Sequence, residues 1–322
     1  MDKHNKIFVA GHQGLVGSAI VRALMGSGFK NLVTRSRHEV DLRDKKGVES
    51  FFSAVRPDYV VLAAARVGGI LANSTFPADF IRENLLIQTH VIDAAYRNGT
   101  KQLLFLGSSC IYPRAAPQPL QESDLLTSRL EPTNKAYAIA KIAGIEMCQA
   151  YRSQYGFDAL CVMPTNLYGP NDNFDLQDSH VLPALVRKFH EATLAGCDSV
   201  EIWGSGDPRR EFLHVDDLAD ACLFLMRQPS KRVFDASFQG IINIGVGEDL
   251  SILELAKIIR DVVGFRGRLR FDPDMPDGTP RKLLDVSRIN ALGWYAKISL
   301  RTGIERTYDW YKHHHLADIS NH

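Results

Sequence analysis

The chain has few cysteines: Cys110, Cys148, Cys161, Cys197 and Cys222 are the five in 322 residues. Their number is odd and no close pair stands at metal-ligand spacing, so neither a disulfide framework nor a metal site is expected. Free thiols in a reducing cytoplasm are the expectation instead. Long apolar runs are missing as well. None reaches the roughly 18 residues of a membrane helix, and Met1 to Lys6 lead straight into a strand rather than through a secretory leader. No sign of charge is in excess: 38 Lys and Arg against 37 Asp and Glu leave a formal +1. Neither nucleic acid nor an anionic membrane is an expected partner on that balance. Repeats and low-complexity segments are absent, and His313-His314-His315 is too short and isolated to read as a metal site.

What is present begins with a strand, a glycine turn and a helix. Lys6 to Ala10 is apolar after its first residue, Gly11-His12-Gln13-Gly14-Leu15-Val16-Gly17 follows, and Ser18 to Leu24 has helical character. Glycines at this spacing let the backbone turn sharply and approach a pyrophosphate, whose charge then rests on a helix N-terminus. The context predicts a dinucleotide site. Asn31 to Thr34 reads as the second strand. An acid about 20 residues past the glycines would hold the ribose hydroxyls of NAD. Here Arg35-Ser36-Arg37 stands there, which suits a 2′-phosphate and so NADP. Glu39 and Asp41 just beyond leave some room for NAD.

A helix over 48–55, a buried strand ending in Ala63-Ala64-Ala65, a loop to Pro77 and a long helix over 78–98 come next. Lys101 to Leu106 is a fourth strand, and Gly107-Ser108-Ser109-Cys110 lies beyond its carboxyl end, where open parallel sheets bind ligands. A serine hydroxyl there donates to a substrate carbonyl, and a thiolate is a competent base. Tyr137 and Lys141 are four apart on a predicted helix, one turn from each other on one face. The lysine is expected to lower the phenol's pKa toward neutrality and fit it for proton exchange. The polar stretch 171–180 follows a strand and turn over 161–170 and opens a second region.

These features together resemble the extended short-chain dehydrogenase/reductases. The blocks Gly107 to Pro113, Tyr137 to Gly144, Met163 to Pro170, Arg210 to Asp217 and Asp277 to Lys282 resemble, more narrowly, the GDP-L-fucose synthase family within them. The resemblance covers nearly the whole chain. It implies an α/β fold, a Rossmann-type doubly wound parallel sheet over 1–168 with a return segment near 212–245, and a smaller C-terminal α/β substrate region over 169–322. It implies epimerisation of GDP-4-keto-6-deoxy-D-mannose at carbons 3 and 5, then reduction of the 4-keto group with NADPH. Ser108 and Tyr137 would hold the keto oxygen, Tyr137 would deliver the proton, and Lys141 would hold the cofactor ribose. Cys110 and His180 resemble the base and acid of the epimerisation, and both have suitable chemistry.

The resemblance also implies which residues hold NADP(H). They are the loop Gly11, His12, Gln13, Gly14, Leu15, Val16 and Gly17, then Arg37, Asp41 and Leu42, then Leu106, Gly107, Ser108 and Ser109. Lys141, Pro164, Thr165, Asn166, Leu167 and His180 complete the set. Gln13 stands where the family often has a basic residue, which leaves Arg37 as the principal NADP determinant. Lys188, Trp203 and Arg210 offer cations for a diphosphate and an aromatic surface, and with Asp277 they resemble substrate-binding positions. Lys188 keeps the charge of the family's usual arginine without its fork. Ser251 to Glu254 has the form of a capping box before a helix. A homodimer through the Tyr137 helix and the helix over 78–98 is implied as well. Two other readings are a redox-neutral epimerase or dehydratase that keeps NAD bound, opposed by Arg35 and Arg37, and a catalytically silent cofactor-binding regulator, opposed by the retained Ser, Tyr and Lys.

Overall fold

Ile7-Phe8-Val9-Ala10 is buried at every position, which suits a strand covered on both faces. In the computed structural model, which describes residues 1–176, 178–275 and 277–319, this strand lies inside a six-stranded parallel sheet. The first half of the chain supplies β1 (Ile7–Ala10), α1 (Leu15–Gly26), β2 (Leu32–Val33), α2 (Lys45–Val55), β3 (Tyr59–Leu62), α3 (Ile70–Thr75), α4 (Pro77–Arg97), β4 (Gln102–Leu106), α5 (Lys135–Tyr155) and β5 (Ala159–Pro164). Then follow β6 (Asn166–Tyr168), α6 (Val181–Leu194), β7 (Ser199–Trp203), β8 (Arg209–Arg210), β9 (Phe212–His214), α7 (Val215–Arg227), α8 (Ser230–Ala236) and β10 (Ile241–Ile244). The remainder is β11 (Leu250–Ser251), α9 (Ile252–Val263), β12 (Arg268–Asp272), β13 (Arg281–Lys282), α10 (Ser287–Leu292) and α11 (Leu300–Ile319).

The sheet order is β10-β5-β4-β3-β1-β2. The chain leaves β1 for the edge strand β2 and then crosses to β3 on the other side, so the strand order reverses between β1 and β3. A crevice forms beyond the carboxyl ends of strands at such a reversal. Helices α4 and α5 pack on each other over one face of the sheet, and α1 and α7 pack together over the other. The four residues Ile241-Ile242-Asn243-Ile244 are all buried and add a sixth parallel strand beside β5.

A second apolar core collects Leu182, Val186 and Phe189 of α6, Leu255 and Ile259 of α9, Ile202 of β7 and Ile304 of α11. Ser251 and Glu254 cap α9 reciprocally: the Ser251 hydroxyl accepts from the Glu254 amide at 3.1 Å, and the Glu254 carboxylate accepts from the Ser251 amide at 2.8 Å. The chain rejoins the first core twice, through β9, α7 and β10, and again through Leu284 to Trp294. Glu211, fully buried between the two cores, accepts from the amides of Val246, Gly247 and Leu284 at 2.6, 2.7 and 3.0 Å. One carboxylate thus fastens two backbone segments, at Val246-Gly247 and at Leu284.

The segment expected to run as a loop to Pro77 contains α3 instead. Asn73 makes this helix possible in a sequence of weak formers, since its amide donates to the carbonyls of Gly68 and Gly69 at 2.8 and 2.9 Å. The Gly69 amide in turn donates to the Asp178 carbonyl at 2.8 Å. That bond joins the loop after β3 to the loop before α6 above the crevice.

Candidate active site

The crevice is a cavity of about 660 Å³. At one end is the glycine loop. Gly11 has φ +85°, and a Cβ there would lie 2.8 Å from the Ala64 backbone. A Cβ on Gly17 would lie 2.1 Å from the Gly11 carbonyl oxygen. The glycines are therefore required by the close packing of β1, α1 and the Ala63-Ala64-Ala65 segment. Gly14 is the N-cap of α1, with no side chain capping the helix and no acid in its first turn. The first amides of α1 are left for an anion, with the helix dipole behind them. His12 Nδ1 in the same loop is buried without a hydrogen-bond partner among the described residues.

Arg35 and Arg37 line the cavity beyond β2. Each is loosely paired, Arg35 with Glu39 at 4.0 Å and Arg37 with Asp41 at 3.9 Å. The two acids are otherwise engaged. Glu39 accepts from the Ser36 amide and hydroxyl, both at 2.7 Å. Asp41 is gripped by Arg43 through Nε at 2.9 Å and a terminal nitrogen at 2.6 Å, and that hydrogen bonding holds its carboxyl down to about 2. Ribose hydroxyls thus find occupied carboxylates, while a 2′-phosphate finds two available guanidinium groups. This corner and the glycine cradle fit NADP. Arg43, to which the sequence pattern assigns no role, belongs to the same wall and also pairs with Glu83 at 3.4 Å. Every residue assigned to the cofactor from sequence lines this one cavity.

Ser108, Cys110, Tyr137, Lys141 and His180 also line it. Ser108 follows β4 in extended conformation, and its hydroxyl accepts from the Cys110 amide at 3.2 Å. The same hydroxyl stands close enough to the Tyr137 phenol to favour its ionised form. Phe80 meets the Tyr137 ring edge-on at 6.4 Å between centroids. Burial, with a smaller push from Cys110, raises the phenol's pKa above its ordinary value, and the neighbouring Ser108 hydroxyl offsets only part of this. This corrects the expectation that Lys141 lowers it. Lys141 is on the right helix face, but its ammonium donates to the Leu106 carbonyl at 2.7 Å and sits 5.9 Å from the Tyr137 ring centre. Burial brings the ammonium itself down to about 8.

Cys110 and His180 approach from opposite regions of the chain. Cys110 is in the short turn after β4, and His180 is the N-cap of α6, where its side chain caps nothing. Protein packing around His180 lowers its pKa, and the charge of Lys282 lowers it further. Lys282 Nζ also lies 3.5 Å from the Cys110 sulfur. Lys282 closes the Asp277 to Lys282 block, yet nothing in the sequence gives it a role. Asp172 carries no sequence signal either. It lines the cavity, one carboxylate oxygen is buried without a partner among the described residues, and burial raises its pKa to about 7. Among the described residues no group of His, Cys, Asp and Glu is arranged to hold a metal ion.

Lys188, Trp203, Arg210 and Asp277 are not in the wall of the main cavity. They form an adjoining group. The Lys188 ammonium lies 5.3 Å from the Trp203 ring centre and donates to the Glu201 carbonyl at 3.1 Å. Asp277 accepts from the Ser205 amide and hydroxyl at 2.8 and 2.9 Å, and Arg210 reaches the Asp277 carbonyl at 3.5 Å. Burial lowers the Arg210 pKa and the neighbouring Cys110 offsets part of this, so this group borders the Cys110 end of the cavity.

A family model described as the NAD dependent epimerase/dehydratase family matches residues 7–245. GDP-L-fucose synthase 1 of Arabidopsis thaliana is 61% identical over 312 residues, which cover 96% of this chain and 94% of that protein. GDP-L-fucose synthase of Escherichia coli strain K12 is 55% identical over 309 residues, covering 95% and 96%. Among solved structures, a GDP-mannoheptose C4 reductase from Campylobacter jejuni with NADP bound superposes with a TM-score of 0.88 at 42% identity, covering 97% of this chain and 99% of that one.

Proposed function

The chain belongs to the NAD dependent epimerase/dehydratase family, and from that premise we propose that it is an NADP(H)-dependent epimerase and reductase acting on a GDP-sugar. Its substrate is GDP-4-keto-6-deoxy-D-mannose, which it epimerises at carbons 3 and 5 and reduces at carbon 4 to GDP-L-fucose. Identity of 61% and 55% to two GDP-L-fucose synthases over nearly the whole chain supports this substrate. The carrying observation is that Ser108, Cys110, Tyr137 and His180 line the same cavity as the glycine loop.

In this reading the Ser108 hydroxyl and the Tyr137 phenol both donate to the keto oxygen. A carbon next to a ketone releases its proton readily once the enolate oxygen is stabilised in this way. Cys110 takes the proton from one face of the sugar ring and His180 returns one to the other face. NADPH, when bound, supplies the hydride. Tyr137 gives its proton to the oxygen it already holds, and the raised pKa keeps that proton on the phenol at neutral pH until it is needed. Lys141, fixed to the Leu106 carbonyl, presents its remaining N–H groups to the cofactor ribose. Lys188 and Arg210 face the diphosphate, Trp203 offers a flat surface, and Asp277 accepts from a hydroxyl or base N–H.

Residues 1–168 with the return near 212–245 form the cofactor domain in this reading, and 169–322 the substrate region. The protein acts as a cytoplasmic homodimer through α4 and α5. Partly exposed Ile81 and Leu85 on α4, and Ile139, Ala143 and Met147 on α5, supply helix-spaced apolar stripes for that contact. All five cysteines are free, and no described helix is long and apolar enough to cross a membrane.

Incubation with NADPH and GDP-4-keto-6-deoxy-D-mannose tests the proposal. Stoichiometric loss of NADPH with GDP-L-fucose as product is expected. Sugar conversion without net NADPH oxidation would favour a redox-neutral enzyme.

A further inference from the structure

Two epimerisations in one site use one base and one acid twice, and their protons must balance. At the first carbon the Cys110 thiolate takes a proton and becomes a thiol, while the His180 imidazolium gives one and becomes neutral. The pair then stands in the wrong protonation state for the second carbon. One proton must travel from the sulfur to the imidazole before the second epimerisation begins.

Lys282 is the titratable cation beside Cys110, which lines the same cavity as His180. Its ammonium lies 3.5 Å from the Cys110 sulfur. Its charge acts directly on His180. It lines the small second cavity behind Cys110, together with Ser109, Glu131, Asn134 and Thr279. Its backbone is fixed, since β13 pairs with β8 and places Lys282 opposite Arg210. A lysine carries three exchangeable N–H protons on a flexible stem and tolerates both charge states. Arg210 also stands near Cys110, but a guanidinium does not release its proton in a protein.

We propose that Lys282 is a proton-relay residue that resets Cys110 and His180 between the two epimerisations. The ammonium gives a proton to the neutral imidazole, and the resulting amine takes the proton of the Cys110 thiol. The net change is one proton moved from sulfur to nitrogen; thiolate, imidazolium and ammonium are all restored, and no electrons change hands. The nearby positive charge also makes the imidazolium a readier donor to the sugar carbon.

This inference rests on the proposed substrate and reaction. The test runs wild type, Lys282→Ala, Lys282→Met and Lys282→Arg in a single turnover, enzyme in excess, with keto-sugar and NADPH in heavy water and reads deuterium at carbons 3 and 5 of the product. Wild type should be labelled at both. Lys282→Met and Lys282→Arg should both build up product labelled and inverted at one carbon only, with the second inversion slowed roughly tenfold or more. Added small alkylamine should restore the second inversion in Lys282→Ala. If Lys282→Arg labels both carbons at the wild-type rate, Lys282 is only a counter-charge and the relay is overturned. Equal slowing of both inversions also overturns it. Should Lys282→Met fail to fold, Lys282→Arg, which keeps the charge beside Cys110, carries the test. A wild type labelled at neither carbon would sink the epimerase reading instead.

Discussion

The Lys141 ammonium is tied to the Leu106 carbonyl at 2.7 Å and stands 5.9 Å from the ring centre of Tyr137, one helical turn before it. Its pKa is drawn down by burial from 10.5 to about 8. Between those values the unfolded chain binds more protons than the folded one, so this group makes stability rise with pH across that window. Below about 8 the full burial cost of the charge is present, on the order of 1–3 kcal/mol. Lys141→Met should therefore melt at a higher temperature than wild type near neutral pH while losing most of its activity. The gap should close as pH approaches 10.5. Calorimetry without cofactor at several pH values checks it; a gap that stays constant would contradict the assignment.

Gly17 separates packing from cofactor chemistry. A Cβ added there would lie only 2.1 Å from the Gly11 oxygen, so Gly17→Ala must push α1 away from the loop. A loss of about 1–3 kcal/mol in stability and a large loss of NADPH affinity are expected. Gly14→Ala, whose Cβ would meet the same oxygen at an ordinary 3.6 Å, should stay close to wild type in fold. Denaturant melts and fluorescence titration with NADPH distinguish the two variants.

In the proposed reading Arg37 carries much of the preference for the phosphorylated cofactor. Removing one charged hydrogen-bonding partner costs about 1.5–3 kcal/mol, so Arg37→Ala should weaken NADPH binding by roughly 10- to 100-fold. NADH binding should change little. Equal weakening of both would mean that Arg37 acts on the loop rather than on the 2′-phosphate.

Much of this arrangement is legible in the residues alone. Strands with every residue buried announce themselves as apolar runs, and the glycine loop and Ser108 lie where strand ends must put them. Short-range signals such as the Ser251–Glu254 cap hold because both partners are three residues apart. What escapes depends on distant partners. Helix α3 is held by Asn73 and by the Asp178 carbonyl, which comes from a loop far along the chain. The edge position of β10 beside β5 is set by packing and has no mark in Ile241 to Ile244. Spacing correctly puts Lys141 one turn from Tyr137, yet cannot say that its ammonium turns to Leu106. Lys282 and Asp172 are ordinary polar residues until the fold places them against the cavities.

The central claim is that one oxygen, gripped by two hydroxyls, serves both the acidified carbons and the reduction. Deuterium uptake at carbons 3 and 5 in heavy water, measured alongside NADPH oxidation in Ser108→Ala and Tyr137→Phe, tests it most directly. Both rates should fall together, by roughly 100-fold or more, with NADPH affinity nearly unchanged. Uptake at the wild-type rate in both variants, with only the oxidation lost, would contradict it.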